Sequence, residues 1–265
     1  MKAGTGRRDV SPRKPAFLWG YPHVERISTG VHDPLCATAL CLDDGLNRTI
    51  AISVDVLYVD APLVEECRRR IENRTGVPPQ HVLISATHTH SGPVTGRVLA
   101  MSADPVVPDP DPEYIELLTE GIAGAACEAA QSIEPAEIAV TVAEVSGVGG
   151  NRLDPAGLHD AEAGILVVRK TSDRSLLSVQ IVYAMHPTVL HEDSTLVSSD
   201  FPGFTRKYIE ESFPGCRVVY HNGPCGNLSP RYHVKAQTVA EAGRLGVRLG
   251  RLIKGAILKL DEADY

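Results

Sequence analysis

"HVLISATHTHSGP", residues 81–93, joins a short apolar run to two histidines spaced two positions apart. Side chains at i and i+2 of a β-strand share a face, so a strand that runs on from 81–85 turns His88 and His90 into the same space. Neutral imidazole is the commonest biological metal ligand and also the usual proton carrier near pH 7. The same order of apolar run and polar motif recurs twice: "SVQIVYAM" (178–185) leads into "HPTVLHEDS" (186–194), and "CRVVYH" (216–221) into "NGPCGNLSPR" (222–231). In open α/β sheets, ligands bind beyond the carboxyl ends of strands. If these three strands are neighbours, His88, His90, His186 and Ser229 converge. A fourth motif, "VGGNRLDP" (148–155), also follows an apolar run. Its glycines would let the backbone approach a ligand, and Arg152 could clamp an anionic or carbonyl group.

Strands and helices interleave through the rest of the chain. "TIAISVDVLYV" (49–59) reads as a buried strand, and Asp60 with Pro62 opens a helix that carries Leu63, Val64, Cys67 and Ile71 on one face up to "GVPPQ". "MSADPVVPDPDPEY" (101–114) is a Pro- and Asp-rich loop, long enough to act as a flap. Asp111, Pro112 and Glu113 start a second helix, with Ile115, Leu118, Ile122, Ala126 and Ala129 in helical spacing to about residue 131. "EIAVTVAEV" (137–145), "GILVVRK" (164–170) and "SLLSVQIVYAM" (175–185) read as strands, and "GFTRKYIEESF" (203–213) as a short helix. A final helix from Thr238 aligns Ala242, Leu245, Leu249, Ile253 and Ala256. The class expected is α/β: a mixed sheet flanked by helices, with the motifs at the carboxyl ends of strands, in one domain over 1–265.

Composition narrows the function classes. A chain of 265 residues with 43% hydrophobic and 22% charged residues suits a folded domain that needs no staples. The formal net charge of -7 argues against a nucleic-acid partner. None of the six cysteines forms a CxxC pair, which removes zinc-ribbon and thioredoxin readings. There is no signal-peptide core and no run approaching the ~18 apolar residues of a membrane span, so a cytoplasmic location is the expectation. His191, Asp193, His221 and His233 lie near the motifs; His23, His81 and His159 read as structural or solvated.

Together, "THTHSGP" (87–93), "GNR" (150–152), "MHPT" (185–188) and "GNLSP" (226–230) resemble the neutral/alkaline non-lysosomal ceramidase family, and "GVHDPLCATALCLDDG" (30–45) and "SSDFPG" (198–203) resemble family segments in the same order. The resemblance spans nearly the whole chain and is nearest in style to shorter bacterial relatives. It implies a zinc-dependent hydrolase of a linear amide, with His88 and His186 as zinc ligands. His90 would stabilise the oxyanion or shuttle a proton, Arg152 would contact the substrate near the scissile amide, and Ser229 would be the nucleophile or the partner of a substrate hydroxyl. Asn227 stands where the family usually has Asp. The family's further ligands, a Glu and a Tyr, come from a segment C-terminal to these motifs. The chain is therefore expected to resemble the N-terminal part of a longer catalytic unit, with a partner chain or missing C-terminal segment completing the site. Local candidates to complete it are His191, Asp193, Asp200 and His221, with Tyr183, Tyr220 and Tyr232. Two other readings follow from the same residues: a catalytically incomplete ligand-binding or partner-dependent subunit, and an acyltransferase. The expected substrate is a small N-acyl amide, ceramide-like or soluble.

Overall fold

Alternating apolar residues build eight strands into one mixed sheet. The computed structural model describes residues 1–98 and 103–265. The long strands are β1 (Lys2–Asp9), β3 (Cys36–Asp43), β4 (Arg48–Val54), β5 (Val82–Ala86), β6 (Glu134–Glu144), β8 (Glu162–Lys170), β9 (Leu176–Tyr183) and β11 (Arg217–Asn222). They run in the order β11-β9-β8-β6-β1-β3-β4-β5. The pairs β4–β5 and β9–β11 are parallel and the others antiparallel. Two-residue strands β2 (Gly30–Val31), β7 (Gly150–Asn151), β10 (Leu196–Val197) and β12 (Leu228–Ser229) pair as β2–β10 and β7–β12.

The sheet bends between β1 and β6, which share only the pairs Lys2↔Pro135 and Ala3↔Glu134. Its halves then fold face to face. Ala3, Leu40, Ala136, Val168, Leu177 and Val219 pack between them, and Ser53 Oγ donates to the Tyr220 carbonyl. Helices α1 (Ala61–Thr75) and α2 (Pro112–Gln131) cover the outer face of the first half, and α3 (Asp200–Ser212) and α4 (Val239–Ile257) that of the second. The layers are thus helix, sheet, sheet, helix. This is the α/β class and mixed sheet that the sequence predicts.

Local chemistry sets the helix ends. Asp60 Oδ1 accepts from Leu63 N (3.1 Å), Asp111 Oδ1 from Glu113 N (3.0 Å) and Thr238 Oγ1 from Glu241 N (3.3 Å), and α1 stops at Gly76 with φ 72°. Helix α2 turns its alanine face so tightly onto β1 that a Cβ at Gly6 would lie 2.2 Å from the Ala125 carbonyl oxygen.

Three expectations need correction. The strand expected over 49–59 ends at Val54, because the chain turns at Asp55, whose N–H bonds to the Cys36 carbonyl. The helix expected from Gly203 begins at Asp200. Strands β1 and β3 escaped the reading: "KAGTGRRD" sets Gly4 and Gly6 either side of Thr5 before a charged run, and its buried face is backbone against a helix. In the 101–114 stretch, Met101 and Ser102 lie outside the described residues. Further along, Val106 and Val107 pack on the Phe17, Trp19, Leu57 and Val94 cluster, and Asp104 Oδ2 accepts from His23 N at 2.6 Å.

Candidate functional site

His88 stands two residues beyond the end of β5, with φ 69° in the left-handed region. A non-glycine residue held there marks a site that its surroundings over-determine. The surroundings are visible. Its N–H donates to the Val56 carbonyl (3.0 Å), and its ring Nδ1 lies 2.9 Å from the Leu57 carbonyl. His186 follows β9 and is held in the same way. Its N–H donates to the Leu228 carbonyl (3.0 Å), and its Nδ1 lies 2.8 Å from the Cys225 carbonyl.

A carbonyl oxygen only accepts, so each Nδ1 carries the proton and each Nε2 is a bare lone pair. These two Nε2 atoms face each other at 3.2 Å. Protonating one would repair the contact, but the environment opposes it. Burial pushes the His88 pKa down to about 4 and lowers that of His186, and the nearby Arg152 charge pushes the same way. Two neutral imidazoles locked in one tautomer by backbone carbonyls, with lone pairs converging, are the donor set of a cation site.

His90 completes a cluster in which one ring nitrogen from each of the three histidines lies within 4.8 Å of the others. Its ring is 5.0 Å from that of His88 and 5.5 Å from that of His186. It is buried, neither ring nitrogen makes a well-formed hydrogen bond, the nearby Gly20 backbone favours its protonated form only weakly, and burial holds its pKa well below the usual histidine value. Among the described residues no carboxylate or thiolate joins the group. Tyr58 lies edge-on to His88 with ring centroids 5.1 Å apart, and Tyr21 lies 5.1 Å from His90.

The other motifs zip together beside the cluster. Strands β7 and β12 pair Ser229 with Gly150, and Arg152 N donates to the Asn227 carbonyl at 2.8 Å. Asn227 and Asn151 both donate through Nδ2 to the Leu158 carbonyl (2.9 and 2.8 Å), so the loop that carries Arg152 is tied at both ends. Ser229 is buried, and its Oγ accepts from Arg231 N at 3.3 Å. The local candidates for further ligands lie elsewhere. Asp200 Oδ2 accepts from Val189 N and Leu190 N (3.0 and 2.9 Å), which fixes the loop after His186; burial raises its pKa to about 6. His221 Nδ1 meets Ser85 Oγ at 2.6 Å between the half-sheets, and Asp193 is exposed. His191 packs on Tyr21, outside the cluster. Tyr183 and Tyr220 are buried in the second core, and Tyr232 is half exposed.

Several supporting residues escaped the reading of the sequence. Asp33 accepts from Ser198 Oγ (2.5 Å) and Ser199 N (2.8 Å), while Thr89 Oγ1 donates to the Ser198 carbonyl (2.7 Å). The "GVHDP", "SSDFPG" and "THTHSGP" segments are therefore one scaffold. The buried pair Asp55–Arg206 (2.7 and 2.6 Å) lies just before the carbonyls that hold His88. An aspartate inside the apolar run 49–59 was the one available signal.

Comparison with known proteins follows this geometry. Residues 1–224 match the profile described as neutral/alkaline non-lysosomal ceramidase, N-terminal. The neutral ceramidase of Drosophila pseudoobscura pseudoobscura is 25% identical over 228 residues, covering 80% of this chain and 32% of that protein. That of Mycobacterium tuberculosis is 25% identical over 233 residues, covering 81% and 36%. The crystal structure of the Pseudomonas aeruginosa neutral ceramidase superposes with a TM-score of 0.87 at 19% identity, over 97% of this chain and 45% of that one. A ceramidase complexed with C2 gives 0.88 at 19%, over 97% and 44%. The chain spans about a third of the length of these curated relatives.

Proposed function

Since the chain belongs to the neutral/alkaline non-lysosomal ceramidase family, we propose that it forms the metal-bearing part of a zinc-dependent hydrolase of a linear amide, an N-acyl compound either ceramide-like or soluble. The observation that carries this reading is the pair of unprotonated Nε2 atoms 3.2 Å apart. That separation suits two nitrogens on one ion with the ~2.0–2.1 Å bonds of zinc to imidazole. His88 and His186 would hold it. When bound, the metal supplies Lewis acidity toward the amide carbonyl and a water of lowered pKa.

The chain's own residues supply the rest. Hydrolysis adds water across the C–N bond, so a proton must leave the water and reach the departing amine. His90, whose ring lies beside that of His88, would carry that transfer. Arg152 offers positive charge toward the carbonyl oxygen as negative charge develops there. Ser229, on the β7–β12 pair, would act as nucleophile or as partner of a substrate hydroxyl, and the Asn227 carbonyl accepts from Arg152 N. A cytoplasmic setting suits six free thiols, among which Cys67 and Cys216 are pushed up to about 12 by burial.

Metal content of the wild type, His88→Ala and His186→Ala tests the assignment: zinc should be near one per chain in the first and lost from both variants. Equal content in all three removes the reading. A second reading, His90 as a third ligand, is favoured by its place in the 4.8 Å cluster; loss of zinc from His90→Asn would select it. A partner-dependent form of the same site is favoured by apolar side chains left open on the inner sheet faces: Leu83, Val140, Val142 and Val182 are all exposed.

A further inference from the structure

Arg26 is 2% exposed, yet no carboxylate among the described residues forms an ion pair with it. Its fork reaches only carbonyl oxygens. Nη2 donates to His90 (2.5 Å) and, at longer range, to Leu18 (3.4 Å) and Trp19 (3.5 Å). Nη1 donates to Ser194 (3.0 Å) and His191 (3.4 Å). The guanidinium lies 4.8 Å from the Tyr21 ring centroid, and Tyr21 Oη donates to the Leu190 carbonyl at 2.8 Å.

A buried cation whose nearest carboxylates, Glu192 and Asp193, act on it only through space is an expensive way to fill a core position, and an apolar side chain would do it more cheaply. What only a planar fork can do is gather carbonyls from several directions at once. Here they come from three segments: the 18–26 strap, the "THTH" motif and the 190–194 loop that follows His186. Asp200 fixes the near end of that loop at Val189 and Leu190, and Arg26 fixes its far end. His90 needs such support. Its ring nitrogens make no well-formed hydrogen bond, the Gly20 backbone alone coming near, so its place depends on its own backbone and on what crowds it. Gly20, at φ 128°, crowds it closely enough that a Cβ would lie 2.5 Å from Nδ1.

We infer that Arg26, seated on Tyr21, is the positioning residue of His90: by holding the His90 carbonyl and the 190–194 loop on one fork, it sets where the His90 ring stands relative to His88 and His186. This rests on the metal-site reading above, and the test separates the two. Arg26→Met and Arg26→Lys are compared with Ile71→Ala, a truncation of a fully buried core residue on α1 that also lowers stability. In metal-free protein, the imidazole 1H–15N signals of His90 should move in both Arg26 variants, while those of His221 stay. Ile71→Ala should leave the His90 signals unmoved, which separates positioning of the ring from a general loss of stability. Unmoved His90 signals in folded Arg26→Lys or Arg26→Met overturn the inference, as does a shift of the same size in Ile71→Ala. If Arg26→Met does not fold, Arg26→Lys decides, because it keeps the charge and loses the fork. A wild type that takes no zinc refutes the metal reading and leaves the imidazole signals to decide on Arg26.

Discussion

Replacing Arg206 with Met should destabilise the protein more than any exposed substitution, for a reason that can be worked through. Asp55 is 0% and Arg206 5% exposed, and they meet through two charge-assisted bonds of 2.7 and 2.6 Å. Burial disfavours the Arg206 charge, but Asp55 more than offsets this and holds its pKa above the ordinary arginine value. Without Arg206, the Asp55 carboxylate keeps one donor, Cys36 N at 2.9 Å, and no counter-charge. Stranding a buried charge in this way costs about 3–5 kcal/mol. For a protein of this size, that is roughly 6–20 °C in melting temperature. Asp55→Asn/Arg206→Met keeps a neutral acceptor for Cys36 and removes the stranded charge. The double variant should therefore be more stable than the sum of the single losses predicts, by about 2 kcal/mol. Urea unfolding of the four proteins measures the cycle. An Arg206→Met loss under about 1 kcal/mol, or strict additivity, would refute the reasoning. The site should register the change as well. Val56 and Leu57, next after Asp55, present the carbonyls that hold His88, so Arg206→Met should also weaken zinc retention.

Other outcomes follow from the same geometry. His90→Asn should retain zinc and lose amide hydrolysis, checked by metal analysis and by turnover of an N-acyl amide with any completing polypeptide present. His221 has its pKa pushed down by burial from 6.5 to about 4. The unfolded chain therefore takes up that proton first, so the stability is present above about pH 6.5 and falls as pH drops toward 4. The loss is about 3 kcal/mol. Unfolding free energies at pH 7.0 and 4.5 should differ by more in the wild type than in His221→Gln; equal differences would count against it. Gly20→Ala, forced into φ 128° with its Cβ against His90, should lower the melting temperature and broaden or shift the His90 imidazole signals.

How far the chain could be read depended on where its information lies. The helices announced themselves through apolar periodicity and their Asp60, Asp111 and Thr238 caps, and β5, β8, β9 and β11 through branched apolar runs. His88, His90 and His186 do converge, but not by sharing the face of a continued strand: β5 ends at Ala86, and His88 lies beyond it at φ 69°. Strand β1 was illegible because its packing depends on the absence of side chains at Gly4 and Gly6, an absence that reads locally as a turn. The support behind the histidines was illegible for another reason. Leu57 and Cys225 act through their carbonyls, so any residue there would serve, and Arg26 gathers groups from positions 18 to 194 that no local window joins. Asp200 was considered as a ligand, but its buried carboxylate clamps backbone N–H groups instead.

The bend at β1 and β6 has a kinetic meaning. Each half of the sheet, with its two helices, comes from one continuous stretch of chain: residues 2–131 for the first and 134–257 for the second. Each stretch can bury its outer face under its own helices without the other half, through local contacts in part and through the distant meeting of β1 with α2, where Gly6 lies against Ala125. His88 and His90 belong to the first stretch and His186 to the second. The histidine cluster is therefore a product of docking. It exists only while the halves are joined. An ion bound by both halves would act as a clasp on that seam, and would slow the separation as well as stabilise the joined state.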